Sequence, residues 1–459
     1  MYSLDDTIAA IATPLGQGGV GIVKLSGPEA LPIAQGLFHP ARPLKRLRPR
    51  YLHFGQLIDP ADNSPVDEIL LAYMPGPHSY TRQDVVEIQA HGGLAPLQRI
   101  LQLVLAAGAR PAEAGEFTLR AFINGRLDLA QAEAVLDVVE AKTEAALRVA
   151  TEQLGGALSA RVKEVRRGLV DVLAFLEASI DFVEDEIPPQ DVARPLQAAS
   201  NGLEGLIASA DRGLIYRQGA RAAIVGKPNV GKSSLLNALL RNERAIVTDI
   251  PGTTRDTLEE TINVGGVPLV LVDTAGIRAH AVDAVEHIGI ERSRAALARA
   301  DLALLVVDGT AAPDEGDEQI AALISSRKPA LLIINKRDLP GADPGNIPAG
   351  FCPGSRRIFF SAASGQGLEA LEAAIIDTVL GGALTLADAP LVSNPRHKAL
   401  LTTALGHVES ALEAHGAGLS VDLVAIDVRE AVEALGQITG ETASEDLLNA
   451  IFSNFCIGK

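Results

Sequence analysis

Residues 226–233 run Gly-Lys-Pro-Asn-Val-Gly-Lys-Ser, a spacing suited to holding a chain of phosphates. Gly226 and Gly231 let the backbone curl, so that successive N–H groups and the start of a helix face an anion. Lys232 offers a point charge to the outer phosphates, and the Ser233 hydroxyl is a Mg²⁺ ligand. Three further segments follow in order. Thr253 and Thr254 lie in a loop after the first helix, where Thr254 completes the Mg²⁺ shell. Asp273-Thr274-Ala275-Gly276 sets a carboxylate near the metal and a glycine amide near the terminal phosphate. Asn335-Lys336-Arg337-Asp338 brings the Asp338 carboxylate to a base edge. There it accepts the two N–H groups of guanine's Watson–Crick edge, which adenine lacks. Ser361 and Ala362 close over the base. Tetrapeptides like the third occur on ordinary loops, and a Gly-rich turn before a helix can be mere packing. All of them in one order, each at a strand end, imply a guanine-nucleotide site that hydrolyses the γ-phosphate. The expected contacts are Gly226, Asn229, Val230, Gly231, Lys232, Ser233 and Ser234; Thr248, Asp249, Ile250, Pro251, Gly252, Thr253 and Thr254; Asp273, Thr274, Ala275 and Gly276; Asn335, Lys336, Asp338, Ser361 and Ala362.

These loops need a sheet to hold them. Apolar runs at 222–225, 269–272, 302–307, 330–334 and 358–360 alternate with helical patterns. Such a βα repeat predicts a parallel sheet with helices on both faces. Before it, residues 127–180 are rich in Ala, Leu, Glu and Lys with i, i+3, i+4 apolar spacing, broken at Gly155-Gly156, which predicts long amphipathic helices. Another helical stretch covers 196–210. Helical patterning returns at 397–415, 428–435 and 444–452, with Thr442 and Glu445 placed for a capping box. Helices on both sides of the α/β unit imply one all-α domain with the α/β domain inserted into it. Residues 1–125 alternate short strands, at 19–25, 69–73 and 84–89, with a helix at 94–107. The reading is a multi-domain α/β chain: an α+β domain at 1–125, a helical domain in two parts at 126–215 and 384–459, and a P-loop domain at 216–383.

Composition narrows the function classes. Formal net charge is −17, with 47% hydrophobic and 21% charged residues. That argues against a protein held to nucleic acid mainly by a broad basic surface. The local basic runs at 42–50 and 161–167 read as solvated surface. Two cysteines, Cys352 and Cys456, make no disulfide framework and suit a reducing cytoplasm. Asp5 and Asp6 stand where a signal peptide would be basic. No apolar run approaches the roughly 18 residues that span a bilayer. His91 reads as a loop residue packed by hydrogen bonds. Cys456 is exposed enough to react but has no local base, so it stays outside the catalytic set.

With the motifs placed, the whole chain resembles the MnmE (TrmE) family of tRNA-modification GTPases. The resemblance rests on Asp6–Pro14 with Gly18–Ile22, on Tyr80-Thr81, Asp84–Glu87 and His91–Gly93, on Gly115–Thr118, Arg120–Phe122 and Asn124–Leu129, and on the terminal Phe455–Lys459. It implies a homodimer built through the N-terminal domains. It implies a one-carbon reduced folate, 5,10-methylene- or 5-formyl-tetrahydrofolate, bound there. It implies a FAD-dependent partner of the GidA/MnmG type, with which the wobble uridine of certain tRNAs gains an aminomethyl-type group at C5. The matching positions make Lys24, Glu87, Arg126 and Lys459 the folate contacts. The family often has Arg at the first of these and Lys at the third, which keeps charge but not geometry. The resemblance also implies K⁺ held by Asn229, Thr248, Ile250 and Thr253. Position 277, directly after the Asp273–Gly276 segment, is Ile rather than a water-orienting Gln. Glu286 matches the family's water-orienting residue, although the segment after Gly276 is one residue longer than usual. Arg255 ties down the preceding loop, and Lys232 completes the catalytic set. A ribosome-assembly or signalling switch shares every nucleotide motif. The N-terminal domain and the Cys-Ile-Gly-Lys tail weigh against it, since an assembly factor would carry a basic RNA-binding module.

Overall fold

The computed structural model describes residues 5–182, 188, 190–242, 259–272, 286–324, 328–382 and 392–459, without the side chains of 241, 242, 259, 286–290 and 292. The chain divides into two compact units. One comprises residues 1–136, 153–196 and 407–459, and the other 137–152 and 197–406. The chain passes between them within helices Leu129–Glu140, Glu144–Leu154, Ala193–Gln218 and Pro395–Gly416.

The first unit holds a seven-stranded sheet of β1 (Ile8–Ile11), β2 (Gly18–Ser26), β3 (Phe38–Pro40), β4 (Leu52–Ile58), β5 (Pro65–Met74), β6 (Val85–Gly92) and β7 (Arg110–Pro111). Its order is β3-β4-β5-β6-β2-β1-β7, antiparallel except for the β1–β7 pair. Burial along β4 alternates strictly, with His53, Gly55 and Leu57 in and Leu52, Phe54 and Gln56 out. That alternation marks a sheet covered on one face. Helices Ala30–Leu37 and Leu94–Ala106 cover it, packing Ile33, Leu97 and Ile100 onto Val23, Leu25, Val86 and Ile88. The other face carries Lys24, Glu87, Ala72 and Leu52 in one rank, because the strand registers pair each with the next.

The helical segments of the chain depart from expectation in three details. The predicted 127–180 run breaks at 141–143 as well as near Gly156, giving helices Leu129–Glu140, Glu144–Leu154 and Ala157–Asp181. The last helix, Glu445–Phe452, is capped by Ser444, whose hydroxyl accepts from Leu447 N at 3.3 Å. Thr442 instead donates to Glu433 O at 3.1 Å, so the Thr442–Glu445 capping box is not formed. Arg166, expected in a solvated run, is mostly covered; it donates to Val432 O at 3.2 Å and pairs with Glu441 at 2.5 Å. Hydrogen bonds to a neighbouring helix outcompete water there.

The second unit is built on a six-stranded sheet: β8 (Ala220–Val225), β9 (Glu259–Val264), β10 (Val267–Val272), β11 (Leu302–Asp308), β12 (Ala330–Asn335) and β13 (Arg356–Phe359), ordered β13-β12-β11-β8-β10-β9. Its inner strands are continuous apolar runs, fully buried in β10, as strands covered on both faces must be. One face packs on Leu235, Leu239, Leu371 and Ile375, the other on Leu297 and Ile320. The expected all-parallel sheet needs correction at its edge, where β9 runs antiparallel to β10. Two glycines with positive φ, Gly265 and Gly266, turn the hairpin, which demands no crossover helix.

Candidate functional site

In the second unit the carboxyl ends of β8, β11 and β12 gather the nucleotide motifs, the crevice where open α/β sheets take ligands. Residues 226–231 leave β8 and enter helix Lys232–Asn242. Gly226 (φ 148°), Asn229 (φ 62°) and Gly231 (φ 102°) occupy left-handed or related backbone. A Cβ at Gly226 would strike Val306 O, and one at Gly231 would strike the Asn335 amide nitrogen. Only glycine fits at both. The Lys232 ammonium bridges the loop, donating to Gly226 O at 2.7 Å and Lys227 O at 2.6 Å. Burial pulls its pKa below the usual lysine value.

Asn335 does more than its motif suggested. It is 2% exposed. Its Nδ2 donates to Val230 O at 2.8 Å, and its Oδ1 accepts from Ala362 N at 3.1 Å. One buried amide thereby fixes the phosphate loop to the segment that closes over the base. Ser361 donates to Asp338 Oδ1 at 2.6 Å and accepts from Ser364 N at 3.1 Å. The exposed Asp338 carboxylate is thus oriented with acceptor lone pairs to spare for guanine. Lys336 (φ 65°) donates to Asp308 Oδ2 at 2.6 Å. Burial opposes ionisation of Asp308, but the bonds from Lys336 and Thr310 outweigh it and hold the carboxyl below its usual range.

Sequence reasoning passed over Lys227. It pairs with Asp314, the N-cap of helix Glu315–Ala322, and with Asp317 at 3.1 Å, anchoring the loop's start. No local pattern links a loop lysine to a cap some 90 residues later.

Ser233 and Ser234 sit in the first turn of helix Lys232–Asn242, and a hydroxyl is a ligand type that suits a hard cation. Thr248, Asp249, Ile250, Pro251, Gly252, Thr253, Thr254, Arg255, Asp273, Thr274, Ala275 and Gly276 lie outside the described residues. Glu286 begins helix Glu286–Arg299, and its side chain lies outside them too.

The first unit brings together the other predicted set. Lys24 and Glu87 are direct partners across β2 and β6. The Lys24 ammonium sits over two rings, 4.5 Å from the Tyr80 centroid and 4.7 Å from that of Phe117. Arg126 stacks on Tyr80 at 4.6 Å and donates to Tyr80 O at 3.3 Å. Burial, with Lys459 and Arg126 repelling and Glu87 attracting, lowers the Lys24 pKa to about 8. Lys459 reaches this group because the tail folds back. Ile457 bridges to Ala114, Gly115 N donates to Cys456 O at 3.4 Å, and Gly458 (φ 96°) lies close to Ile11 and Ala12.

Tyr80, Phe117 and Thr118 were quoted motif residues without a role. Tyr80 OH and Thr118 Oγ1 are 2.9 Å apart. Beneath them Arg120, 1% exposed, bonds Glu116, Asp6 and Gln83. A buried charge needs such full pairing. His91 is not a loop residue but the penultimate residue of β6. Asp67 hydrogen-bonds its Nδ1 at 2.7 Å and raises its pKa.

Comparison with known proteins adds family. Residues 7–126 match the model of the GTP-binding protein TrmE N-terminus, and residues 129–456 that of the MnmE helical domain. A tRNA modification GTPase MnmE of Roseiflexus castenholzii is 52% identical, covering 99% of each chain. That of Chloroflexus aurantiacus is also 52% identical, over 99% of this chain and 100% of its own. The one from Carboxydothermus hydrogenoformans is 47% identical, over 99% and 100%. The solved structure of Era with MgGDPNP and a 16S ribosomal RNA segment overlaps 41% of this chain and 66% of its own at 25% identity, with a TM-score of 0.26. That overlap is too slight to argue from.

Proposed function

The chain belongs to the MnmE family of tRNA modification GTPases, and we propose that it couples GTP turnover in the second unit to one-carbon chemistry in the first. The enzyme is a GTPase that takes part in tRNA modification, and such a family implies nucleotide and Mg²⁺. Ser233, with Thr254, would hold the Mg²⁺, which when bound neutralises phosphate charge. Lys232 shares that task, Asp338 selects guanine, and Asn335 keeps base and phosphate loops in register. Asn229, Thr248, Ile250 and Thr253 would hold a K⁺, which when bound would supply positive charge where an arginine finger acts in other GTPases. Glu286 orients water, and Arg255 ties down the intervening loop. The domain plan is 1–125, 126–215 with 384–459, and 216–383.

The observation that carries the folate reading is the convergence of Lys24, Glu87, Arg126 and Lys459 around Tyr80. A carboxylate beside cations and a ring suits a reduced pterin. Glu87 would accept its ring N–H groups, Tyr80 would offer a ring beside it, and the cations would meet its carboxylates. The folate supplies one carbon. With a FAD-dependent partner of the GidA/MnmG type, that carbon would supply the methylene of the aminomethyl-type group at C5 of a tRNA wobble uridine, its nitrogen coming from a separate amine. Leu52 and Phe54, 57% and 54% exposed on the open sheet face, suit burial against a second copy in a homodimer. No helix among the described residues is long and apolar enough to cross a membrane, which fits work in the cytoplasm. The test is calorimetric titration of the purified chain with 5-formyltetrahydrofolate. Binding that is lost in Glu87→Gln supports the reading, and no binding to the native chain ends it.

A further inference from the structure

An open cleft of ≈ 670 Å³ runs on from Tyr80, Glu87 and Arg126 to a rim formed by Arg50 and Arg82. Its walls are apolar where Leu52, Ala72, Met74 and Pro77 line it. Three arginines line it against one acid, Glu87, in a chain of net charge −17. Elsewhere in this acidic protein arginines find carboxylates, as Arg99 finds Asp59 and Arg217 finds Asp137. Arg50 and Arg82 instead bond neutral carbonyls, His78 O at 3.1 Å and Asn124 O at 2.8 Å. Among the described residues neither has a carboxylate partner. A carbonyl fixes a guanidinium without neutralising it, so the rim keeps its positive charge.

Both arginines also hold unfavourable backbone, with φ 62° at Arg50 and φ 60° at Arg82. A side chain there crowds its own backbone, so the conformation is disfavoured for any residue but glycine. The other positive-φ side chains include Asn229 and Lys336 of the nucleotide site. Such strain persists where the surroundings fix it, and it gathers at ligand sites.

We infer that Arg50 and Arg82 form a subsite for the poly-γ-glutamyl tail of a reduced folate whose pterin lies by Glu87. The inference rests on the folate reading above and specifies the form of the ligand. Each added γ-glutamyl residue brings one carboxylate, and the open cleft extends from Glu87 to two guanidiniums held by backbone carbonyls. An RNA backbone would ask for cations spread along a track rather than gathered at the mouth of one cleft.

Calorimetry on the full-length protein compares 5-formyltetrahydrofolate as monoglutamate and as triglutamate. The triglutamate is expected to bind about three- to tenfold tighter, the gain of one or two exposed ion pairs, and the gain should shrink with added salt. In Arg50→Ala/Arg82→Ala the ratio should fall to about one, while Arg50→Lys/Arg82→Lys, which keeps charge and controls for folding, retains most of it. Equal affinity for the two ligands in the native protein overturns the subsite and leaves the folate reading standing. If neither ligand binds, the folate reading has failed and the subsite with it. A tail gain that persists in the alanine variant, or an anticodon stem-loop RNA that binds through these arginines in place of any tail gain, overturns the inference too.

Discussion

Asp338 has one carboxylate oxygen fixed by Ser361 at 2.6 Å, and in the proposed function this carboxylate selects the base. Replacing it by Asn reverses hydrogen-bond polarity at that edge. Asp338→Asn should lose GTP affinity by at least about a hundredfold, since its amide N–H would then face guanine's N–H groups with neither side paired in the complex, a cost of several times RT. It should gain xanthosine triphosphate, whose base carries a carbonyl where guanine has its amine. Competition binding with the two nucleotides checks this, and unchanged GTP affinity would remove Asp338 from the site. Lys24 supports a pH prediction. Its folded pKa, about 8, lies below the usual lysine value of 10.5. Between those values the unfolded chain binds the extra proton, so this residue's contribution to stability rises with pH. An anionic folate prefers the charged amine, so affinity should fall above pH 8, by up to about tenfold per unit. Lys24→Arg should flatten that fall. A wild-type affinity constant from pH 7 to 10 would show that Lys24 does not face the ligand.

At the scale of elements, two loops and a tail carry the sites. Asn335→Ala strips partners from Val230 O and Ala362 N. Unsatisfied buried groups cost about 1–3 kcal/mol each, so both GTP and GDP should bind at least about tenfold more weakly. Titration with each nucleotide decides it, and a loss confined to GTP would contradict a tie that serves loop placement. A Cβ at Gly458 would lie 2.7 Å from Ile11 O and 2.9 Å from Ala12 Cα. Gly458→Ala, or deletion of Gly458-Lys459, should therefore displace the tail and weaken folate binding while GTP hydrolysis stays nearly intact. Equal folate affinity after truncation would make the tail an ordinary surface end. The nucleotide loops were legible because each motif is contiguous and sits at a strand end that its own apolar run announces. The set around Tyr80 was reached through family resemblance alone. Lys24 and Glu87 meet through an antiparallel register, and Lys459 arrives from the far end of the chain, so no local spacing records either contact. The β9–β10 hairpin was missed because Glu259–Val264 carries Glu, Thr and Asn and does not read as an apolar run. The Ser444 cap was missed because two hydroxyl residues compete within three positions.

For the molecule as a whole, the proposed function joins the nucleotide cycle of one unit to the one-carbon chemistry of the other. Position 277 is Ile rather than a water-orienting Gln, and in the proposed function Glu286 would align the water and K⁺ near Asn229 would compensate charge. Arginine fingers are worth roughly 10³–10⁵ in rate, so hydrolysis in K⁺ should exceed that in equal Na⁺ by a large factor. Asn229→Ala should erase that difference, and Glu286→Ala should be slow in both salts. Equal native rates in K⁺ and Na⁺ would exclude the cation, and a fully active Glu286→Ala would mean that another group positions the water. The coupling itself is tested by mass spectrometry of the wobble uridine in a reconstituted reaction with tRNA, a one-carbon folate and the FAD-dependent partner. With Asp338→Asn, the account predicts that modification stalls with GTP and resumes with xanthosine triphosphate. Modification that runs equally well with GTP in that variant, or without any nucleotide, would contradict it.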